Sequence, residues 1–237
     1  MSLKHIKFES FLKTSFIDYP DLISSVAYFG TCNFKCPFCH NGDLVASTDS
    51  RVDAEAWLEH LEKRRGLIDG VVISGGEPSL NENIMPLLEE IRKMDLKIKI
   101  DTNGSNPEWL AKIIDYKLVD YIAMDLKNAP TKYDTTSGLS NFNKETLFRA
   151  IDVIVTSGID HEFRTTLMKE FHEIGDLVEM ATLINGAKRY TLQQYEYKTK
   201  QLVDQVYTPY STEEMNRLKD QIQPLLKGTH IQVIGKY

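Results

Sequence analysis

The stretch SVAYFGTCNFKCPFCHNG, residues 25–42, joins a short apolar run to a loop that contains all three cysteines of the chain. The run Ser25–Phe29 has the composition of a buried β-strand. Cys32, Cys36 and Cys39 follow it within a span of eight residues. Parallel α/β folds build their ligand sites at the carboxyl ends of strands, so the stretch predicts a thiol-based site beside the end of a strand.

The number and spacing of the thiols favour metal ligation over disulfide bonding. An odd, tightly clustered set of cysteines does not form a disulfide framework. Zinc would take a fourth protein ligand, and His40 is adjacent to Cys39 and poorly placed to supply it. A [4Fe–4S] cluster has four irons, so three thiolates leave one iron open to a small-molecule ligand. The residues alone leave structural zinc and three unliganded thiols as alternatives.

Composition and charge exclude several other classes of protein. The 237 residues are 42% hydrophobic and 26% charged, as in ordinary globular domains. We expect one domain over residues 1–237, with a core barrel over about 20–200. The chain has no apolar run long enough to span a bilayer and no apolar N-terminal leader, which predicts a cytoplasmic protein without a membrane partner. With 28 basic and 34 acidic residues the net charge is −6, which argues against nucleic-acid binding.

Short β-branched runs alternate with stretches of helical period along the chain. The predicted strands are Ser25–Phe29, Gly70–Ser74, Lys97–Ile100, Tyr121–Met124, Glu162–Leu167 and Tyr190–Gln194. Helices are predicted to start at Asp53, Asn81, Asn106-Pro107, Asn143 and Ser211, and Ser211 has capping-box spacing with Glu214. A final strand is predicted at His230–Ile234. Six βα units predict a parallel α/β fold, either an open barrel or a doubly wound sheet.

Three more polar motifs follow predicted strands, and each has a local explanation. They are Gly75-Gly76-Glu77-Pro78, Asp101-Thr102-Asn103-Gly104 and Met124-Asp125-Leu126-Lys127. The first is typical of a tight strand-to-helix turn, the second of an Asx turn and the third of a surface ion pair. Arg164 alternates with apolar neighbours on a predicted strand, so it needs an anion: a cofactor carboxylate or the side chain of Asp125 or Glu77.

The pattern formed by Cys32, Cys36, Phe38 and Cys39 resembles the CxxxCx(aromatic)C signature of the radical S-adenosylmethionine superfamily. The resemblance implies an α/β fold, a partial (β/α)6 barrel with short N- and C-terminal extensions. It also implies that the three cysteines hold a [4Fe–4S] cluster whose open iron binds S-adenosylmethionine. One electron from such a cluster cleaves the sulfonium and produces a 5′-deoxyadenosyl radical. The cluster and this cofactor would then carry the reaction without a catalytic side chain of the protein.

The same resemblance implies a cofactor site at the strand ends. Glu77 would meet the methionine ammonium, and Asp101 with Thr102 would place a monovalent cation beside the cofactor carboxylate. Phe38 and His40 resemble positions that flank the adenine; the alternatives are an aromatic that shields the cluster from water and a capping histidine. The motif DLK would contact the methionine and ribose. The full set of predicted cofactor-binding residues is Phe38, His40, Gly75, Gly76, Glu77, Pro78, Asp101, Thr102, Asn103, Asp125, Lys127 and Arg164.

Longer stretches resemble the activating enzymes of glycyl radical enzymes. The matching segments are FIDYP, CNFKCPFCHNGDLV, SGGEPSL, DTNG, AMDLK and EFRTT, and they are most similar to the activating protein of anaerobic ribonucleoside-triphosphate reductase. The resemblance implies hydrogen abstraction from a glycine of a partner protein, with flavodoxin or ferredoxin as electron donor. Pyruvate formate-lyase activases carry DGPG where this chain has Asp18-Tyr19-Pro20-Asp21. Asp18 is therefore a candidate partner-binding residue in a loop that departs from that pattern.

Other functions are compatible with the same motifs. Within radical chemistry, the alternatives are a pyruvate formate-lyase-type activase and a small-molecule enzyme such as 7-carboxy-7-deazaguanine synthase. Outside enzymes, the alternative is a metal-binding scaffold without turnover, which would have no need of GGEP, DTNG and DLK at successive strand ends. Because no cysteine lies outside the loop, an auxiliary iron–sulfur cluster is excluded.

Overall fold

The structure, a computed structural model, describes residues 3, 6–46, 52–81, 83–198 and 201–235. Its packing divides the chain into two compact units that alternate along the sequence. The first unit comprises Met1–Asn33, Asp43–Thr102 and Glu108–Ile122, and the second comprises Phe34–Gly42, Asn103–Pro107 and Ala123–Tyr237. That residues 1–237 form one domain stays a prediction.

Parallel strands form the centre of the first unit. Its strands are β1 (Lys7–Phe8), β2 (Ser10–Ser15), β3 (Ser24–Phe29), β4 (Val52–Asp53), β5 (Gly70–Gly75), β6 (Lys97–Thr102) and the first two residues of β7 (Tyr121–Asp125). β1 pairs with β4, and the others follow the order β2-β3-β5-β6-β7. β3, β5 and β6 are parallel, whereas β2 is antiparallel to β3. Phe29 lies opposite Gly75 and Ile73 opposite Ile100, so the carboxyl ends of these parallel strands lie side by side.

Helices alternate with the strands in this part of the chain. They are α1 (Gly42–Ala46), α2 (Ala54–Lys63), α3 (Ile84–Lys93) and α4 (Pro107–Asp115), and a 3₁₀ helix spans Pro78–Leu80. The fully buried residues of α3 are Ile84, Leu87, Leu88 and Ile91, the spacing expected of one helical face. Trp57 of α2 is fully buried and donates from Nε1 to Ser25 Oγ over 2.8 Å. This contact fixes α2 against β3.

The second unit also alternates strands and helices. Its elements are the end of β7, α5 (Tyr133–Ser137), α6 (Lys144–Thr156), β8 (Asp160–Leu167), α7 (Ile174–Leu183), β9 (Arg189–Gln194), α8 (Thr212–Ile222), a 3₁₀ helix (Gln223–Leu225) and β10 (His230–Ile234). Its strands follow the order β7-β8-β9-β10, and β8, β9 and β10 are parallel. The buried strand residues Phe163, Leu167, Tyr190 and Leu192 supply its core, with Leu147, Ile154, Leu177 and Met180 from the helices.

Most helix starts agree with the sequence prediction, and one does not. Asn143 caps α6 by accepting from Glu145 N, and Ser211 with Glu214 forms the expected capping box of α8. The predicted cap at Asn81 is wrong, because α3 begins later, after Asn83. The preceding 3₁₀ helix runs to Leu80, and Asn81 Oδ1 instead accepts from Asn83 N over 3.0 Å.

The α/β class is confirmed. The six predicted strands correspond to β3, β5, β6, β7, β8 and β9, and the final predicted strand to β10. The sequence prediction lacks β2, because SFLKTS has no clean alternation and its formation depends on pairing with β3. No described helix is both long and apolar enough to cross a membrane.

Candidate functional site

The GGEP turn holds the backbone immediately before Cys32. Gly76 N donates to Phe29 O over 2.8 Å, and Glu77 N donates to Thr31 O over 2.9 Å. A Cβ on Gly76 would lie 1.7 Å from Thr31 O, so only glycine permits this approach. In the first unit the glycine motif therefore shapes the base of the cysteine loop. This backbone contact is sufficient to explain why a glycine stands at position 76, without any contact to a ligand.

A second close contact holds the backbone before Cys36, in the second unit. Lys35 N donates to Ser137 O over 2.8 Å, and a Cβ on Gly138 would lie 2.1 Å from Lys35 O. Gly138 also has φ +68°, the left-handed conformation in which it ends α5. Cys39 N then donates to Cys36 O over 3.0 Å, which forms a turn between these two thiols.

The thiols suit an iron–sulfur cluster by their chemistry. None of the three cysteines forms a disulfide bond; Cys36 is buried, and Cys32 and Cys39 are half-buried. Cys32 belongs to the first unit and the other two to the second, and no group of three or more metal-ligating side chains is assembled among the described residues. The Lys127 ammonium interacts electrostatically with Cys36, which favours the thiolate, the form that binds iron. The donor set therefore fits the group, and the ligand assignment stays a prediction.

Glu77 and Thr102 connect two of the predicted motifs within the first unit. Glu77 is 1% exposed, and its Oε1 accepts from Thr102 Oγ1 over 2.9 Å and from Ser79 N over 3.2 Å. Pro78 begins the 3₁₀ helix that Glu77 caps. These two donors are neutral, so they hold the Glu77 carboxylate without cancelling its charge. A carboxylate held in this way suits a cationic ligand group.

Asp101 lies at the end of β6 beside two residues that sequence reasoning missed. Ser74 Oγ donates to Asp101 Oδ2 over 2.9 Å, and Lys99 Nζ lies 3.5 Å from Oδ1. Lys99 precedes Asp101 by two residues on the same strand face, which is the signal that the sequence offered. Asn103, by contrast, forms the expected Asx turn, because its Oδ1 accepts from Ser105 N over 2.9 Å.

Asp125, Lys127 and Arg164 form a charged cluster in the second unit. Lys127 Nζ lies 2.9 Å from Asp125 Oδ2, and Arg164 Nε lies 3.0 Å from Asp125 Oδ1. The Asp125–Lys127 ion pair expected from the sequence is present, and it is partly buried, with side chains 34% and 17% exposed. The alternative ion pair between Arg164 and Asp125 is present.

Electrostatics keep the charged cluster fully ionised. Burial opposes ionisation of Asp125, but Lys127 and Arg164 outweigh it and lower the pKa of Asp125 to about 2. Burial likewise opposes the charge on Lys127, but Asp125 and Cys36 raise the pKa of its ammonium. The cationic side chains held in this way are of the kind that binds an anionic ligand group.

Phe38 and His40 flank the third cysteine and are enclosed by aromatic rings. Phe38 is buried, with its ring centroid 5.9 Å from that of Phe171, and the His40 ring lies 6.2 Å from Tyr195. Burial lowers the pKa of His40, and the positive charge of Lys198 lowers it further. The imidazole is therefore neutral at pH 7. His40 Nε2 is buried without a hydrogen-bond partner among the described residues.

Asp18 is engaged within its own loop. Its carboxylate accepts from Ser15 Oγ over 2.5 Å, and Ser15 Oγ in turn accepts from the backbone N–H groups of Ile17 and Asp18. This turn presents Phe16 and Ile17, which are 74% and 88% exposed. A role of Asp18 in partner binding stays a prediction.

Comparison with known proteins assigns the family. A model of the Radical SAM superfamily matches residues 26–184. A Methanocaldococcus jannaschii protein described as a glycyl-radical enzyme activating enzyme is 30% identical over 188 residues, 78% of each chain. The pyruvate formate-lyase-activating enzyme of Clostridium pasteurianum is 25% identical over 73% of this chain and 75% of its own. A Thermococcus kodakarensis protein described as a GTP 3′,8-cyclase is 28% identical over 63% of this chain and half of its own length.

Solved structures share the fold. SuiB of Streptococcus suis superposes with a TM-score of 0.68 at 18% identity, over 88% of this chain and 48% of SuiB. A domain of a Bacteroides vulgatus pyruvate-formate lyase-activating enzyme superposes with a TM-score of 0.56 at 17% identity, over 70% of this chain and 99% of the domain. The chain therefore spans about half the length of SuiB.

The chain belongs to the Radical SAM superfamily and is a radical SAM enzyme. Its cofactors are those of the family, a [4Fe–4S] cluster and S-adenosylmethionine. The sequence prediction of fold, enzyme class and these two cofactors is confirmed. The zinc and passive-scaffold alternatives are no longer supported.

Proposed function

We propose that this chain activates a glycyl radical enzyme by removing a hydrogen atom from a glycine of that partner. The observation that carries the proposal is the 30% identity to the Methanocaldococcus jannaschii activating enzyme over 78% of both chains. A match of that extent reaches well beyond the cysteine loop. The Clostridium pasteurianum activating enzyme supports the same reaction class.

The residues of each unit are chemically suited to one part of S-adenosylmethionine. When bound, the cluster and S-adenosylmethionine supply a 5′-deoxyadenosyl radical that abstracts hydrogen. Glu77 in the first unit offers a buried carboxylate to an ammonium group. Lys127 and Arg164 in the second unit hold Asp125 and are cationic donors of the kind that binds a carboxylate group.

Hydrogen abstraction from a glycine Cα makes few demands on acid–base side chains. No proton is transferred in that step, so the chain's contribution is to orient the reactants and exclude water. Phe38, buried against Phe171 beside the third cysteine, supports the exclusion of water from that thiol. His40 supports it as well, because its buried ring is neutral.

For the partner, we favour an anaerobic ribonucleoside-triphosphate reductase, on the segments FIDYP, AMDLK and EFRTT. The second candidate is a pyruvate formate-lyase-type partner, which the Clostridium pasteurianum relative favours. Flavodoxin or ferredoxin would supply the electron. Cysteines without disulfide bonds suit a reducing compartment, and the proposal places the chain in the cytoplasm.

The test is an electron paramagnetic resonance measurement on the reconstituted protein. The chain is loaded with iron and sulfide under anaerobic conditions and mixed with reductant, S-adenosylmethionine and either an anaerobic ribonucleotide reductase or a pyruvate formate-lyase from the same source. A glycyl doublet with the reductase establishes reaction and partner. A doublet that appears only with the lyase would identify the pyruvate formate-lyase as the partner instead. Release of 5′-deoxyadenosine without either doublet would instead favour a small-molecule substrate.

Two variants make the measurement specific. Cys36→Ala should abolish both the doublet and 5′-deoxyadenosine release, because it removes a predicted cluster ligand. Lys35→Ala is the matched control, since Lys35 is exposed and its structural contact runs through its backbone N–H. Undiminished 5′-deoxyadenosine release by Cys36→Ala would contradict the assignment of the cluster loop.

A further inference from the structure

Lys99 is a buried cation within the first unit. Its side chain is 4% exposed, and it lies on β6 two residues before Asp101. A lysine ammonium is costly to bury unless oxygen atoms replace its hydration. The oxygen atoms around Lys99 are therefore the groups that its positive charge stabilises.

The Lys99 ammonium lies among the kinds of ligand that bind a monovalent metal ion. Nζ donates to Asp18 O over 2.5 Å, lies 3.5 Å from Asp101 Oδ1, and lies 5.5 Å from the centroid of the Tyr121 ring. A carboxylate, a carbonyl and an aromatic face are all partners of hard monovalent cations. The ammonium group is close to K⁺ in size and charge, so one can occupy the position of the other.

Two carboxylates act on the side chains beside Lys99. Tyr28 lies on β3, opposite Ser74 in the register, and Ser74 donates to Asp101. Burial raises the pKa of Tyr28, and the charges of Asp18 and Asp101 raise it further. Both carboxylates therefore act on this row of side chains, and a cation is needed to balance them.

We propose that the Lys99 ammonium is a built-in replacement for the monovalent cation that the family resemblance implies at Asp101. Lys99 acts as a positioning residue: it holds the Asp101 carboxylate on β6 and fastens the Asp18 backbone to the same strand. The inference rests on the proposed function in one respect only, namely that Asp101 lies near the bound cofactor. The chain supplies this charge itself and has no requirement for K⁺ or Na⁺ at Asp101.

The first test uses the unaltered 237-residue chain without S-adenosylmethionine or partner. Thermal unfolding is compared in KCl, NaCl and choline chloride at equal ionic strength, and sodium-23 NMR line widths are compared with those of Asp101→Asn. Equal unfolding temperatures and equal line widths are expected. A line broadened by the unaltered chain and not by Asp101→Asn, with stabilisation by K⁺ or Na⁺ over choline, would overturn the proposal.

The second test removes the lysine. Lys99→Met keeps most of the side-chain length and leaves the Asp101 and Asp18 oxygens without their ammonium. We expect its unfolding temperature in choline chloride to fall by about 5–10 °C and to recover partly in KCl or NaCl, because a metal ion can now enter. An unfolding temperature of Lys99→Met that is the same in all three salts would overturn the replacement.

The control for this variant lies on the same strand. Lys97→Met removes a lysine that is 60% exposed and pairs with Asp120, and it should show no dependence on the choice of cation. If Lys99→Met does not fold, the comparison of the unaltered chain with Asp101→Asn decides alone. None of these measurements uses turnover, so their failure is distinct from a failure of the proposed radical chemistry.

Discussion

The two charged clusters of this protein are held in opposite ways. In the first unit Glu77 is bound by a hydroxyl and a backbone N–H, within a turn whose glycine packs on the chain before Cys32. In the second unit Asp125 is bound by two cations. The first arrangement depends on backbone shape and neutral hydrogen-bond donors, whereas the second depends on charge. Substitutions should therefore disturb the shape of the first cluster and the charge balance of the second.

The largest effect is expected at the backbone contact of the first unit. Gly76→Ala would place a Cβ 1.7 Å from Thr31 O, so the turn and the cysteine loop must move apart. We expect a loss of about 3 kcal/mol in the free energy of unfolding, measured by urea denaturation, and incomplete iron incorporation. Gly175→Ala is the control, because nothing lies within 4 Å of its Cβ. Equal urea midpoints for the two variants would show that the contact is not constraining.

A smaller loss is expected when a cation is removed from the second cluster. Lys127→Met leaves Asp125 with Arg164 alone, at a cost of about 2 kcal/mol in unfolding free energy and about tenfold in S-adenosylmethionine affinity. The pKa of Asp125 should rise from about 2, because one of its two cationic partners is gone. Isothermal titration and NMR titration measure these changes. Lys132→Met, which removes the ion pair between a 42% exposed lysine and the buried Asp176, should leave the affinity unchanged.

The hydrogen bond between the two motifs of the first unit should contribute less. Thr102→Val removes the donor to Glu77 Oε1 and keeps the side-chain shape, at an expected cost of about 1.5 kcal/mol in unfolding free energy. Chemical denaturation measures it against Thr182→Val, whose hydroxyl donates to Val178 O on an exposed helix surface. A Thr102→Val cost no greater than that of the control would mean that Glu77 does not depend on this donor.

The smallest effect is a difference in acid sensitivity. The folded pKa of Asp125, about 2, lies below its ordinary value of 3.8, so its ionisation stabilises the fold above pH 3.8 and this contribution is lost as the pH falls toward 2. Asp125→Asn should therefore lose less stability than the unaltered chain between these pH values. Urea midpoints at each pH test this, and parallel pH curves would contradict the stabilising role of the two cations.

How much of the site the sequence could predict varies from residue to residue. Cys36, Phe38 and Cys39 are recognisable because their spacing is local, and Asn143 and Ser211 because helix caps act within three residues. The prediction that Asn81 caps α3 was wrong, because a 3₁₀ helix precedes α3 and α3 begins after Asn83. Lys99 was missed although it precedes Asp101 by two residues on the same strand, because a lysine is rarely buried.

The sequence by itself determined the family, the alternation of strands and helices, and the thiol loop, because each depends on spacing along a few consecutive residues. The tertiary structure alone decided which charges meet. Lys99 reaches the carbonyl of a residue 81 positions away, and Arg164 reaches a carboxylate 39 positions away. Such partners are chosen by strand register and packing, which bring together residues whose local sequences carry no trace of one another.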